Sequence, residues 1–328
     1  MVPPAEELKI LMTSGQIHKQ TPIALFVYNR PAHANAVLES LAKCARLQEC
    51  SLHIFCDGSR RPDDDASVGE TRAVARKWAD ALDGVLHERD ANLGLSRSIV
   101  SGVSELCASH GRVIVIEDDL ILGVSFLDYM LQALDRYEAA TNVYQISGYM
   151  FPVTHPQKPD AFFAPLVTTW GWATWARAWQ SFDWNAEDAA AAMQDAETRR
   201  QFDLDGAYPY SEMLAQRLRN ENDSWGILFW WAVFKRHGLV LHPRESLVQV
   251  GGFDGTGTHA GNYLWSRTAP ARLQTWSFEL PDQVAIDDSA FARIKTFLKK
   301  EQYPASLAGR IWRRLERYAA GSHRSPVG

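Results

Sequence analysis

Long apolar runs are missing from this chain of 328 residues. No stretch approaches about 18 uninterrupted apolar residues, which excludes a helix built to span a bilayer. Residues 1–20 carry no apolar h-region, so a secretory signal is not expected. Cysteine is scarce, at 4 residues. Cys44, Cys50, Cys56 and Cys107 stand in apolar or helical contexts, with no zinc-type pairing to histidine and no dense framework. Reduced thiols and a cytoplasmic setting are the simpler expectation. Positive charge is not in surplus either: 34 Lys and Arg against 39 Asp and Glu leave a net charge of −5. That balance gives no reason to expect a nucleic-acid partner. A phosphate-cradling P-loop is missing too. Gly251 to His259 is glycine-rich but lacks the Gly-Lys-Ser/Thr ending. No internal repeat is visible.

What is present begins with Val113-Ile114-Val115-Ile116-Glu117-Asp118-Asp119-Leu120-Ile121-Leu122. Four β-branched residues read as a buried strand, and three carboxylates follow without a break. Like charges at a strand end repel unless a cation neutralises them or some become protonated. Hard oxygen ligands suit Mg²⁺, Mn²⁺ or Ca²⁺, and a magnesium-type ion fills its shell with water and substrate phosphate. Two readings stand at this point: a strand-end site for a metal and a diphosphate, or an acidic turn capping the helix that follows.

The pattern around this run is strand, helix, strand, helix. Strands are expected over Ile23–Tyr28, Leu52–Cys56, Gly84–Arg89 and Val113–Ile116, with helices over Ala34–Cys44, Glu70–Leu82 and Leu95–His110. That alternation predicts an α/β fold with a parallel sheet flanked by helices, whose ligands sit beyond the C-terminal strand ends. Asn29-Arg30, Asp57-Gly58, Asn92 and Glu117-Asp118-Asp119 all fall at such ends.

After Asp119 the pattern changes. A helix is expected over Phe126–Ala139, a strand over Val143–Gly148 and a helix starting within Trp175–Trp184. A polar, alanine-rich segment runs to Arg219. A helix over Trp225–His237 and short strands at Leu239–Pro243 and Leu247–Val250 follow. Tryptophan is abundant, at 12 residues, many between 170 and 231. Such indoles serve as core or as platforms for sugar rings. From Arg293 to the end, nine Lys or Arg face two Glu, with Ile311, Trp312, Leu315 and Tyr318 at helical spacing. That tail is either a basic amphipathic helix for an anionic membrane surface or a helix docked on an acidic body.

Over roughly residues 21–265 these motifs, in this order, resemble the GT-A nucleotide-sugar glycosyltransferases. The likeness is to the N-acetylglucosaminyltransferase I type and a related set of bacterial transferases. The resemblance implies a mostly parallel GT-A (Rossmann-like) sheet with a smaller acceptor-side region and a helical basic tail. It divides the chain into a lead-in (1–20), a nucleotide-sugar-binding half (21–148), an acceptor-side half of the same catalytic domain (149–270) and a C-terminal extension (271–328). It gives Arg30 the donor diphosphate, Asp57 the nucleotide base, Glu117 and Asp118 the sugar and ribose side, and Asp119 a Mn²⁺ or Mg²⁺ ion. Asn92 and Arg97 join the donor side, and His259 is a second candidate for the metal. Trp170-Gly171-Trp172 resembles an acceptor or sugar-stacking loop. Asp223-Ser224-Trp225 resembles a segment whose second residue is the family's catalytic base. Ser224 stands there in this chain, which leaves Asp223 as the nearest carboxylate and Asp254 in reserve.

The implied activity is metal-dependent, inverting transfer from a nucleotide diphosphate sugar, UDP-linked foremost, to a glycan or glycolipid hydroxyl. The implied setting is bacterial surface polysaccharide assembly, lipopolysaccharide included, with the tail on the inner membrane face. Two other classes stay open. One is a sugar-nucleotide-forming nucleotidyltransferase, which Asn29-Arg30-Pro31-Ala32-His33 fits poorly. The other is a catalytically silent carbohydrate-binding protein on the same fold.

Overall fold

The computed structural model describes residues 20–153, 159–250 and 278–302. Its first half follows the expected alternation. Strand β1 (Thr21–Val27) leads to helix α1 (Pro31–Leu41), β2 (Cys50–Cys56) to α2 (Asp65–Ala81), and β3 (Val85–Glu88) to α3 (Leu95–His110), which enters β4 (Arg112–Glu117). Pro31 supplies the fixed φ that starts α1 directly after Arg30. Gly111, at φ 83°, ends α3 in the left-handed region. β1 and β4 are buried on both faces, as central parallel strands must be, which is why they read as continuous apolar runs.

With β6 (Val143–Ser147), β7 (Ala161–Ala164), β8 (Trp172–Trp175) and β9 (Leu239–Pro243), the eight-stranded sheet has the order β3-β2-β1-β4-β8-β6-β9-β7. β1 pairs in parallel with β2 and β4, and β2 with β3. Beyond β4 the sheet is mixed. β8 (Trp172–Trp175) runs antiparallel to both β4 and β6 (Val143–Ser147), and β6 is parallel to β9 (Leu239–Pro243). β7 (Ala161–Ala164) closes the edge antiparallel to β9. The fold class is therefore the expected one, α/β with a mostly parallel sheet and helices against it.

One expectation changes. The helix expected within Trp175–Trp184 is only the single turn α5 (Ala176–Trp179), because Trp172–Trp175 is drawn into the sheet against Val115–Arg112. The polar, alanine-rich segment before Arg219 holds the short helices α6 (Ala189–Ala192), α7 (Ala196–Phe202) and α8 (Tyr210–Leu218). These pack with α9 (Trp225–Phe234) through a few apolar contacts such as Phe202 on Trp230, 5.6 Å between ring centres. The final described helix, α10 (Asp288–Gln302), is docked on the body. Ala290, Ile294 and Leu298 are buried at spacing four, and Lys295 bonds Asp205 at 2.7 Å. The apolar face of α10 is thus committed inward; Arg310 to Arg324 lie outside the described residues. All four cysteines are buried free thiols, and burial pushes each thiol up to about 12.

Candidate active site

Parallel pairing fixes where the polar residues meet. Phe26 lies opposite Glu117, and Val27 opposite Cys56. The residues that follow these strands, Arg30, Asp57 and Asp118-Asp119, therefore emerge at one sheet edge. Asp118 and Asp119 form a turn, after which β5 (Leu120–Leu122) folds back to pair antiparallel with β10 (Val248–Val250). The acidic triplet does not cap a helix. The next one, α4 (Phe126–Arg136), starts only at Phe126.

Within the triplet the carboxylates have different fates. Arg30 grips Asp118 with two nitrogens, Nε at 3.2 Å and Nη2 on the other oxygen. Its Nη1 is buried without a partner. Burial pushes Asp118 upward, and the Arg30 guanidinium only partly opposes it. Burial, then Asp119 and Asp118, push Glu117 well above the usual carboxylate range. Asp119 is pushed up to about 6, by burial first and by Asp118 second. Its Oδ1 is enclosed and has no hydrogen-bond partner among the described residues. An enclosed carboxylate oxygen with no donor, among carboxylates that one arginine cannot neutralise, is the donor chemistry a hard divalent cation needs. Asp119 fits that group. His259, the second candidate ligand, and Asp254 lie outside the described residues.

Asp57 is buried and acts on its own chain. Its carboxylate accepts from the amides of Gly58 at 3.1 Å, Leu93 at 2.9 Å and Gly94 at 2.9 Å. Asn92 returns the contact, its Nδ2 donating to the Gly58 carbonyl at 2.7 Å. The two loops approach so closely that a Cβ on Gly58 would stand 2.6 Å from the carbonyl carbon of Ala91. Asp57 and Asn92 together clasp the loop after β2 to the loop before α3. Arg97 stands exposed on the first turn of α3.

On the other side of the sheet edge, backbone bonds link the pieces. Gly123 N donates to Leu247 O at 2.8 Å, Leu247 N to Gly148 O at 2.8 Å, and Gly148 N to Gly171 O at 2.7 Å. Gly171 sits at φ 63°, and a Cβ there would meet Val248 Cγ1 at 2.9 Å. Glycine is therefore required between the two tryptophans, which part company. Trp170 is half-buried, with its ring centre 4.7 Å from that of Tyr149. Trp172 is 0 % exposed and packs on Trp225 at 5.2 Å and Trp179 at 5.8 Å. Trp172 is not a sugar platform. As an inward residue of β8 it faces α9, and no ligand ring can reach it.

Ser224 is the N-cap of α9, its Oγ accepting from Ile227 N at 3.3 Å. Ser224 thus has a structural task here, as the cap of this helix. Asp223 is exposed, and its side chain has no hydrogen bond among the described residues. Its backbone is fixed, however: the hydroxyl of buried Ser96 on α3 donates to the Asp223 carbonyl. The amide of Ser224 donates to Asn222 Oδ1 at 3.1 Å. Sequence reasoning missed Ser96, and also Tyr28, whose hydroxyl donates to Asp64 at 2.8 Å and accepts from Arg60 N at 3.0 Å. Only the placement of Tyr28 at a strand end hinted at its part in shaping the loop.

No family model matches the chain, and no curated protein matches it in sequence. Among solved structures the chain is similar to S. aureus TarS residues 1–349, with TM-score 0.43 and 14 % identity over 70 % of this chain. It is similar to GalNAc-T7 bound to UDP, GalNAc and Mn²⁺, with TM-score 0.45 and 8 % identity over 70 % of this chain. It is similar to glucosyl-3-phosphoglycerate synthase from Mycobacterium tuberculosis bound to Mn²⁺, UDP and glucosyl-3-phosphoglycerate, with TM-score 0.32 and 13 % identity over 56 % of this chain. The chain spans 59 %, 43 % and 64 % of those chains. All three scores lie below 0.5, so the reading of the site rests on its own residues.

Proposed function

We propose that this protein is a metal-dependent glycosyltransferase that moves a hexosyl or N-acetylhexosaminyl group from a nucleotide diphosphate sugar, UDP-linked foremost, to a glycan or glycolipid hydroxyl. The observation that carries this reading is the enclosed, unpartnered Oδ1 of Asp119 beside the Arg30–Asp118 pair at the end of β4. A divalent ion held by Asp119 would neutralise charge on the leaving diphosphate.

The chain's own residues then have distinct tasks. Asp118 holds the Arg30 guanidinium in one orientation, and Arg30 adds fixed positive charge where the diphosphate departs. The Asp57–Asn92 clasp shapes the loop that borders the nucleotide, and Arg97 adds charge beside it. Glu117 lines the sugar and ribose side. Trp170 offers the one indole face of its loop that is not wholly buried. Asp223, exposed on a fixed backbone, takes the proton of the acceptor hydroxyl as that oxygen attacks the anomeric carbon. The bond to the diphosphate oxygen breaks and its electrons leave with the diphosphate. One displacement inverts the anomeric centre. Assembly of a bacterial surface polysaccharide at the inner face of the cytoplasmic membrane is the setting that the resemblance suggests.

The test is a donor panel. Purified protein is mixed with Mn²⁺ and each common UDP-, GDP-, CMP- and dTDP-sugar, and nucleotide release is followed with and without EDTA. Metal-dependent release of nucleoside diphosphate from one donor is expected. Neither release nor metal-dependent nucleotide binding with any donor would overturn the proposal and favour a silent carbohydrate-binding protein.

A further inference from the structure

Arg217 is a buried cation without an anion. It is 9 % exposed, on the body-facing side of α8 three residues after the fully buried Leu214. Its Nε is enclosed and unbonded. No carboxylate pairs with it among the described residues, although acidic groups stand nearby in the chain. Those are spoken for: Glu221 and Glu212 bond Arg219 at 2.8 and 3.4 Å, Asp203 accepts from Ser211 at 2.7 Å, and Asp188 bonds Lys235 at 2.7 Å. The guanidinium carbon stands over the ring of half-buried Trp184, 4.9 Å from its centre.

An uncompensated buried charge is expensive, and an apolar residue of the same length would fit a core position better. The indole takes one side of the guanidinium, and the two Nη groups, which unlike Nε are not enclosed, are left for an oxyanion with two oxygens to offer. The same packing ties Arg217 to the segment that carries Asp223. From Trp184 a string of rings leads through Phe182 (6.2 Å) and Trp179 (4.9 Å) to Trp225 (6.2 Å), two residues after Asp223. Asn222, the residue before Asp223, donates to Met213 O on α8 at 3.1 Å. The arginine and the candidate base are thus built into one piece of structure.

We propose that Arg217 and Trp184 form an anion subsite that holds a phosphate group carried by the acceptor. The word acceptor rests on the glycosyltransferase reading; the subsite itself does not. The experiment is therefore a binding measurement without turnover. Inorganic phosphate, and acetate in parallel, are titrated calorimetrically into the wild type and into Arg217→Met, Arg217→Lys and Arg30→Gln. Saturable phosphate binding is expected in the wild type and in Arg30→Gln. About a tenfold loss is expected in Arg217→Lys, which keeps charge but not the fork, and complete loss in Arg217→Met. Arg217→Met should also melt no lower than the wild type. Phosphate binding that vanishes with Arg30 instead, or that survives Arg217→Met, would overturn the proposal. So would acetate binding tighter than phosphate, no phosphate binding at all, or an Arg217→Met chain that melts lower or fails to fold. Failure of the donor panel with intact phosphate binding would remove the transferase reading and leave the subsite standing.

Discussion

The two sides of the β4 strand end are built from opposite materials. On the donor side, polar side chains either grip backbone amides, as Asp57 does, or stand with an acceptor unused, as Asp119 does. On the other side, from β8 to α9, indoles and phenyl rings pack on one another and leave little polar surface inside. The donor side keeps electrostatic tension, with Glu117 and Asp119 both held above the usual carboxylate range. On the aromatic side the buried charge among the described residues is confined to Arg217 beside Trp184, and the packed rings supply rigidity. A site that must accept a charged ligand needs the first kind of construction, and the second holds a reacting group still.

The largest effect that would sharpen this contrast is at Trp172. Trp172→Ala empties a fully buried site and should cost about 3–5 kcal/mol in chemical denaturation. Trp170→Ala, half-buried, should cost about 1–2 kcal/mol. Equal costs would mean that the two indoles share one environment, against the burial seen here.

Asp119→Asn should do the opposite on the donor side. Turnover should fall by about 10²–10³-fold or more, while the metal-free protein gains stability. The folded-state pKa of Asp119, about 6, is raised above the ordinary value of 3.8. The folded form therefore holds its proton to higher pH than the unfolded form. Stability falls as pH rises through that window and is lowest above it. Removing the charge should raise the metal-free stability at pH 7 by about 1–2 kcal/mol after screening. Mn²⁺ should raise the melting temperature of the wild type above pH 6, progressively less below it, and not that of the variant. A metal-free variant that melts lower than the wild type at pH 7 would break the comparison.

These contrasts also show what could be read from residue order. The strand-helix alternation and the shared edge of Arg30, Asp57 and Glu117-Asp118-Asp119 were legible because a parallel strand fixes the position of the residue that follows it. The Trp170-Gly171-Trp172 block was not. Whether an indole is platform or core depends on which strand its segment joins, and β8 is inserted antiparallel between β4 and β6. The clasp by Asp57 was hidden for a related reason. Its partners, Leu93 and Gly94, are backbone amides 36 and 37 residues away, which no side-chain motif announces. A cap before the apolar helix is readable from the Asp223-Ser224 pair, but that it falls on Ser224 and not Asp223 is not, and neither is the anchoring of Asp223 by Ser96, 127 residues distant.

Asp57→Ala tests the polar construction of the donor side without touching the carboxylate triplet. Three amides and the Asn92 loop lose their anchor, so a loss of about 2–3 kcal/mol is expected, with weaker nucleotide binding by titration. Asp57→Asn should recover only part of it, because one carbonyl oxygen replaces two carboxylate oxygens. Full nucleotide affinity in Asp57→Ala would show that the loop needs no clasp.

The smallest effect is the most discriminating, because it lies where the two constructions touch. Ser96 belongs to α3, which the Asp57 clasp helps to place, and its hydroxyl reaches across to the carbonyl of Asp223 at the start of the aromatic side. If Asp223 is the base, losing that bond should leave the carboxylate present but less well placed. Ser96→Ala should therefore lower kcat about 3–10-fold, with the KM for donor unchanged, and cost no more than about 1–1.5 kcal/mol of stability. Ser96→Thr, which keeps the hydroxyl, should recover most of kcat. The decisive step is the pair. In an Asp223→Asn background, itself expected to lose about 10²–10³-fold in kcat with donor affinity intact, Ser96→Ala should have almost no further effect, because there is no base left to place. Simple multiplication of the two losses would mean that Ser96 acts on the fold alone, and that the donor side and the aromatic side are joined by packing and not through the reacting carboxylate.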